Sequence, residues 1–341
     1  TLSRLLRHNA DGLPIYNRYD TAYTLGHAPQ ALDIAFHGMT AQGDDEPLHD
    51  RFRQHAPLHA HYLQLRASNE QFGAFEQQDL RLGSLARKGL QWEARWVAAP
   101  QLHITLGWSQ LGQSSEDGNF AANPSSSDRL NSVQAKWLGS RGDSTVTLFQ
   151  SYEWQRYTGL QLNQTLQWGG RLNLEAGLNY RTESSATTPL QVFGYENSLQ
   201  ASATYTLGKR EYLRAAPRLT RYYTQLHDYL GSGRLLDLEA GYRIRTEYPD
   251  WRLRAYYTYQ DFSTDGALSI TASPLLAANS PIPIADPVAY LMPVGASTLG
   301  ACVGMGENLG GQNLPTVYSR AWRPFLDFCL SHNGEGSNGY S

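Results

Sequence analysis

The feature that most constrains this chain is an alternation of apolar and polar residues with a period of two, sustained from about Ala31 onward. Successive side chains of a strand point to opposite faces, so this pattern describes strands with one apolar and one wet face. Leu90, Trp92, Ala94 and Trp96 alternate with Gln91, Glu93 and Arg95. Leu102, Ile104, Leu106 and Trp108 then alternate with His103, Thr105, Gly107 and Ser109. The same holds for Leu172 to Tyr180 against Arg171 to Asn179, for Leu236 to Ile244 against Asp237 to Arg245, and for Trp251 to Tyr259 against Arg252 to Gln260.

Fifteen strands are expected, near 31–41, 58–67, 75–86, 90–97, 102–111, 129–138, 144–154, 159–168, 171–181, 198–207, 212–223, 234–246, 251–262, 298–308 and 316–330. Most approach the roughly 9–11 residues that a tilted strand needs to cross a bilayer. Bacterial single-chain barrels use even strand numbers, so a closing sixteenth is expected after Gly339-Tyr340. Tight turns at 98–101, 140–143, 169–170, 208–211 and 248–250 interleave with longer connections at 112–128, 182–197, 224–233 and 263–297, while the one near 155–158 is short. Periplasmic turns of such barrels are short and extracellular loops long, which sets an orientation. The fold class read here is all-β: a transmembrane antiparallel up-and-down β-barrel of 16 strands in the bacterial outer membrane, over residues 31–341.

Charged residues are 17% of the chain, below the roughly 25% usual for soluble domains. The most apolar long stretch, around 282–294, is broken by Pro283, Pro287 and Pro293, and no run approaches the length of a spanning helix. A soluble sandwich or propeller also alternates, but its strands are shorter and it has no need of tryptophans at strand ends. Trp92, Trp108, Trp137, Trp154, Trp168 and Trp251 are expected near strand ends as an interfacial girdle. A formal net charge of −3 argues against a nucleic-acid partner. No leader precedes Thr1, so the secretory signal is expected upstream.

The first thirty residues differ. Leu2, Leu5 and Leu6 before Asn9-Ala10-Asp11-Gly12 suggest a helix end, and 14–26 reads equally as extended chain or an extra strand.

No Gly-x-Ser-x-Gly, His-Glu-x-x-His or phosphate-binding glycine loop is present. His37, His55, His59 and His61 share the N-terminal region without converging as ligands must, so neither metal nor cofactor is expected. Cys302 and Cys329 are expected inward, but a hairpin turning near Gly311 would pair Cys302 with a residue near Trp322 and keep the thiols apart.

The inward charges carry more information. Glu93, Glu153, Glu175, Asp237 and Glu239 are expected to face a water-filled conduit together with Arg95, Arg171, Arg181, Arg243, Arg245, Arg252 and Arg254, either bracing the wall or tuning what passes. Asp44, Asp45, Glu46, Glu116 and Asp117 are expected in outer loops, where an acidic mouth concentrates cations. The segment 263–297 is too long for a simple hairpin and reads either as an ordered loop folded into the lumen or as a disordered outer loop.

One family likeness rests on Tyr229-Leu230-Gly231-Ser232-Gly233-Arg234-Leu235-Leu236, on Arg245-Thr246-Glu247-Tyr248-Pro249-Asp250-Trp251, on Gly304 to Leu309 and on Tyr318 to Leu326. These runs resemble the C-terminal barrel of the PelB family of biofilm exopolysaccharide exporters. The resemblance implies a channel for a partly deacetylated, cationic amino-sugar polymer and a lipoprotein ring, PelC, on the periplasmic side. It further implies that residues 1–30 link to an upstream tetratricopeptide-type periplasmic region. It supplies no catalytic residue, and membrane lipid and lipopolysaccharide are the surroundings it implies. The rival readings are a general or solute-selective porin, to which an upstream repeat region would be foreign, and a barrel enzyme, which a lipid-hydrolysis assay would reveal.

Overall fold

The computed structural model describes residues 13–24, 28–42, 48–49, 51–52, 56, 61–72, 76–77, 80–81, 85–99, 101–114, 127–139, 141–208, 210–245, 250–269, 286–306, 326–334 and 338–340. Two helices come first, α1 (Ile15–Thr24) and α2 (Ala28–Gln42). Sixteen strands follow: β1 (Tyr62–Phe72), β2 (Glu76–Gln77), β3 (Leu80–Arg81), β4 (Leu85–Ala99), β5 (Leu102–Ser114), β6 (Ser127–Gly139), β7 (Gly142–Tyr152), β8 (Arg156–Trp168), β9 (Leu172–Thr182), β10 (Gly194–Thr206), β11 (Glu211–Thr224), β12 (Tyr229–Arg245), β13 (Trp251–Ser263), β14 (Ala296–Met305), β15 (Leu326–Asn333) and β16 (Asn338–Tyr340). Helix α3 (Thr188–Phe193) lies between β9 and β10, and α4 (Pro287–Leu291) between β13 and β14.

Fourteen strands form one antiparallel sheet in chain order, β1-β4-β5 and onward to β16, while β2 and β3 make a separate ribbon. The up-and-down meander is the expected topology, with 14 strands in the main sheet against the 16 read from the sequence. Two differences produce that count. The segment 31–41 is helical: Ala31, Ala35 and Gly38 recur at i, i+4 and i+7 and pack on Tyr19, Ala22 and Ile15, a helical face rather than a pleated one. Of the strand expected at 75–86, residues 76–77 and 80–81 make the separate ribbon and only 85–86 join the main sheet, as the start of β4, which contains all of 90–97.

The alternation sorts the two faces as the sequence dictates. Leu65, Leu90, Val133, Leu148, Leu162, Leu199, Leu219, Leu253 and Leu330 stand exposed on one face, which is the behaviour of a lipid-facing band. The girdle is narrower than expected. Trp96, Trp137, Trp168 and Trp251 are exposed at the end of the sheet that carries the tight turns. Trp92 and Trp108 instead face each other in the middle of β4 and β5, and Trp154 is in the turn after β7.

Turn lengths alternate less regularly than expected. At the tight-turn end, 306–325 joins β14 to β15 over a long span. At the opposite end, 153–155 is short, as expected near 155–158, and 225–228 is short because β11 and β12 run further than the sequence suggests. Tyr23 of α1 interacts electrostatically with Asp143 at the start of β7, which sets the helical pair beside the tight-turn end.

The β14–β15 register corrects the cysteine reading. Cys302 stands opposite Cys329, their Cα atoms 4.1 Å apart, and the two sulfurs are bonded. A turn near Gly311 would have paired Cys302 with Trp322. The observed register places the centre of the connection several residues later, and the cross-strand neighbours then meet within bridging distance.

Glycines opposite aromatics shape the inner wall. A Cβ at Gly241 would lie 2.1 Å from the Tyr212 ring, and one at Gly300 would lie 2.3 Å from the Tyr256 ring. Each ring therefore lies flat over its cross-strand glycine instead of projecting inward.

Candidate functional site

The inner face has two zones: a polar wall along the strands and a packed mouth at the end of the long connections. On the wall, one depression of about 240 Å³ is lined by Gln64, Arg66, Gln91, Glu93, Ser109 and Ser132 among others. Glu93 accepts a hydrogen bond from the Tyr62 hydroxyl, and the Arg95 guanidinium lies 4.5 Å over the Tyr62 ring. A larger depression of about 450 Å³ spans β8 to β12, with Asn163, Glu175, Gln200, Arg214, Arg218 and Asp237 in its lining. Glu175 accepts from Ser202 Oγ at 3.1 Å and from Asn173 Nδ2 at 3.4 Å. Glu239 accepts from the Tyr212 hydroxyl, and Arg243 lies over that ring. Amides and hydroxyls both donate and accept, so such a wall suits a hydroxyl-rich solute without binding it tightly.

The mouth is built differently. Arg87 of β4 is 3% exposed and donates to Glu183 Oε1 at 2.7 Å and to Glu153 Oε1 at 3.4 Å. Gln113 and Gln225 each donate to Glu153 at 2.9 Å, one to each oxygen. Burial, with Asp128 and Glu183 close by, pushes the Glu153 carboxyl well above the usual range. Glu153 therefore sits in the β7–β8 turn as a brace within a buried cluster, and not on the open conduit where the sequence reading set it. Three carboxylates share one guanidinium there, so a proton held on Glu153 lowers the cost of burying them together.

The Arg87 guanidinium also reaches the Gln191 carbonyl at 3.5 Å. β4 and β9 are five strands apart in the sheet order, about 24 Å along a flat sheet at ~4.8 Å per strand. That contact requires the sheet to curl and the β9–β10 connection to reach inward over its concave face. It does so through α3. Thr187 caps the helix, its Oγ1 accepting from Leu190 N at 3.2 Å, and the same hydroxyl donates to the Leu291 carbonyl at 2.7 Å. Asp286 caps α4 through Val288 N and Ala289 N, with Pro287 at its start. Leu190, Val192, Phe193, Leu291 and Met292 form a dry core against Tyr222 and Leu230 of the wall. Trp154 meets Phe193 edge-on at 5.4 Å between ring centres.

Of the residues read from sequence, Glu93, Glu175, Asp237 and Glu239 are on the inner wall, in separate places rather than one cluster. Asp44, Asp45, Glu46, Glu116 and Asp117 lie outside the described residues. The segment 44–46 follows α2 and precedes β1, so it does not join two strands as expected. Within 263–297 the described part includes α4, which folds into the mouth core. The sequence reading missed Arg87, Gln113, Gln225 and both short helices. Thr187-Thr188-Pro189 and Asp286-Pro287, a capping residue followed by proline, were the available signals.

Among the described residues one group of potential metal ligands converges, Cys302, Asp327 and Cys329. Its sulfurs are bonded to each other and Asp327 pairs with Arg254, so it is not arranged to hold an ion.

Against known proteins, residues 65–341 match the family model described as PelB, C-terminal beta barrel domain. Among solved structures the chain is similar to a bacterial polysaccharide outer membrane secretin, with a TM-score of 0.54, 9% identity, and 83% of this chain and 82% of that one covered. This likeness shows a shared β-barrel fold. The FrpB iron transporter from Neisseria meningitidis gives a TM-score of 0.39 at 12% identity over 73% of this chain and 42% of that one. OmpT from Vibrio cholerae gives 0.32 at 9% identity over 80% and 89%. Both are too loose to carry an argument. No curated protein matches the chain by sequence.

Proposed function

The chain belongs to the PelB C-terminal β-barrel family and is a bacterial outer-membrane β-barrel, and from that premise we propose that it is the export channel for an exopolysaccharide. The polymer passes along the inner wall, from the tight-turn, periplasmic end to the long-loop, extracellular end. The observation that carries this is the wall itself: neutral hydrogen-bonding side chains, interspersed with both signs of charge, spread over many strands. Weak contacts distributed in this way let a chain slide, where a single tight site would hold it.

A partly cationic polymer fits the carboxylates Glu93, Glu175, Asp237 and Glu239, with Glu116 and Asp117 of the β5–β6 connection adding to them at the mouth. Arg214, Arg218, Arg243, Arg252 and Arg254 keep the wall from being uniformly negative, so attraction is local. Transport is passive, and the driving force comes from synthesis behind the polymer. The sheet closes on itself, with the helical pair α1 and α2 leading to a periplasmic repeat region and a PelC ring at that end. A permanently open porin suits the packed mouth less well, since α3 and α4 must part before a sugar chain leaves.

The test is complementation. In cells lacking the barrel, the intact exporter should restore polymer at the cell surface. A variant carrying an engineered cysteine pair between α3 and α4 should reach the outer membrane at normal abundance, export nothing while oxidised, and recover under reductant that leaves the wild type unaffected. Normal export with the pair demonstrably bonded would overturn the reading.

A further inference from the structure

The outward face carries a second, unassigned feature near the long-loop end. By strand alternation Lys88, Arg129, Arg156, Arg221 and Arg234 point to the same side as the exposed leucines, on β4, β6, β8, β11 and β12, and all five are exposed. Among the described residues, the outward strand positions of this end offer one carboxylate against them, Asp261, which stands opposite Arg234 on β13. At the tight-turn end the same face carries Trp96, Trp137, Trp168 and Trp251 instead. The two rims of the lipid-facing band are therefore chemically different.

Charge on a lipid-facing strand is costly at mid-bilayer and nearly free at the interface, so a row of basic residues marks a headgroup level. The distance agrees. Arg234 is eight residues along β12 from Tyr242, about 26 Å of strand and ~20 Å along the membrane normal at a tilt near 40°, close to the ~25 Å apolar band of outer-membrane barrels.

Two of these arginines edge a groove of about 500 Å³ across β9 to β12. Its floor is apolar, with Leu178, Leu199 and Leu219 exposed, and Arg221 and Arg234 stand at its long-loop side. No carboxylate lines it. An apolar trough continuous with the lipid band, ending in guanidinium groups at headgroup height, is complementary to an amphiphile with acyl chains and a phosphate. Arginine is suited to that phosphate because its planar fork donates two parallel hydrogen bonds.

We propose that this groove binds the phosphorylated glucosamine headgroup and an acyl chain of lipopolysaccharide in the outer leaflet, with Arg221 as the principal phosphate ligand and Arg234 beside it. The remaining basic residues extend the same headgroup belt around the barrel. The site rests on the outer-membrane assignment and on the proposed orientation with the long-connection end outward, but not on what passes through the lumen, so it stands or falls separately from the export of a polymer.

The test uses the purified full-length protein in detergent, with bisphosphorylated lipid A, fully dephosphorylated lipid A and phosphatidylglycerol as probes and native mass spectrometry as the readout. Wild-type protein should retain the bisphosphorylated lipid at least tenfold more tightly than the other two. Arg221→Gln with Arg234→Gln should abolish that preference while strand content and compact migration in unheated SDS stay unchanged. Arg171→Gln, an exposed arginine at the tight-turn end, should leave it intact. The proposal is overturned by equal retention of the dephosphorylated lipid or phosphatidylglycerol, by undiminished lipid A binding in the double variant, or by an equal loss in Arg171→Gln.

Discussion

The mouth and the wall of this barrel use the same residue types for opposite ends. At the mouth, Arg87, Glu153, Glu183 and Asp128 are drawn together under a dry core, and their charges hold loops in place. Along the wall, Glu175 and Asp237 lie partly or fully exposed among amides and hydroxyls and remain available to a solute. The difference is one of dielectric. A buried ion pair loses several kcal/mol when one partner is removed, whereas a wet charge is screened and its loss costs little. The mouth should therefore respond to single substitutions in an all-or-none manner, and the wall only to several at once.

The largest expected effect follows from Arg87→Ala, which leaves three carboxylates clustered without their cation. Removing one partner of a fully buried pair costs about 3–5 kcal/mol, and the 41% exposure of Glu183 keeps the loss here toward the lower end of that range. The loops should release, and single-channel conductance in planar bilayers should rise from near closed to a large, long-lived open state. An unchanged closed trace would remove the bracing role.

Leu291→Ala probes the apolar half of the same region. The side chain is fully buried between α4 and the wall, and its truncation should cost about 2–4 kcal/mol. Hydrogen exchange should quicken at 187–193 and 286–292 while strand amides keep their protection. Uniform loss of protection across the sheet would mean that mouth and wall are one cooperative unit.

A smaller, pH-dependent effect belongs to Glu153. Its pKa is raised in the folded state, so the closed mouth binds a proton that the released loops give up. The closed state is favoured at low pH, and that advantage is lost as pH rises through the raised value. Openings should become more frequent with increasing pH in the wild type and much less pH-dependent in Glu153→Gln. A pH response of equal slope in the variant would assign it to another group.

The smallest effect is expected on the wall. Glu175→Gln or Asp237→Asn alone removes an interaction worth about 1 kcal/mol at 4 Å in water, so surface polymer should change less than twofold. A single wall substitution that stops export would turn a distributed track into a binding site.

This contrast also explains what could be read in advance. Strand faces were legible because period two is enforced residue by residue: Leu199, Leu219 and Leu253 face outward as the alternation requires. The mouth was not, because its geometry is set by contacts between residues far apart in sequence, such as Arg87 with Gln191 and Thr187 with Leu291. Glu153 has the right parity for the lumen, and only the turn and the reach of Arg87 reveal that it is enclosed. At 31–41 a short alternating stretch was overridden by the helical spacing of Ala31, Ala35 and Gly38. The cysteine pairing was not legible because the register between β14 and β15 that brings Cys302 opposite Cys329 has no local sequence signal.

The central claim, that polymer travels along the inner wall, is tested most directly by placing a photoreactive amino acid at single positions of β10 in exporting cells. Gln200 and Ser202 face inward and Leu199 and Ala201 outward, so one strand carries both the test and its control. Illumination should attach amino-sugar polymer to the barrel from positions 200 and 202, and not from 199 or 201. Equal capture from both faces, or none from the inward pair while export proceeds, would contradict the account.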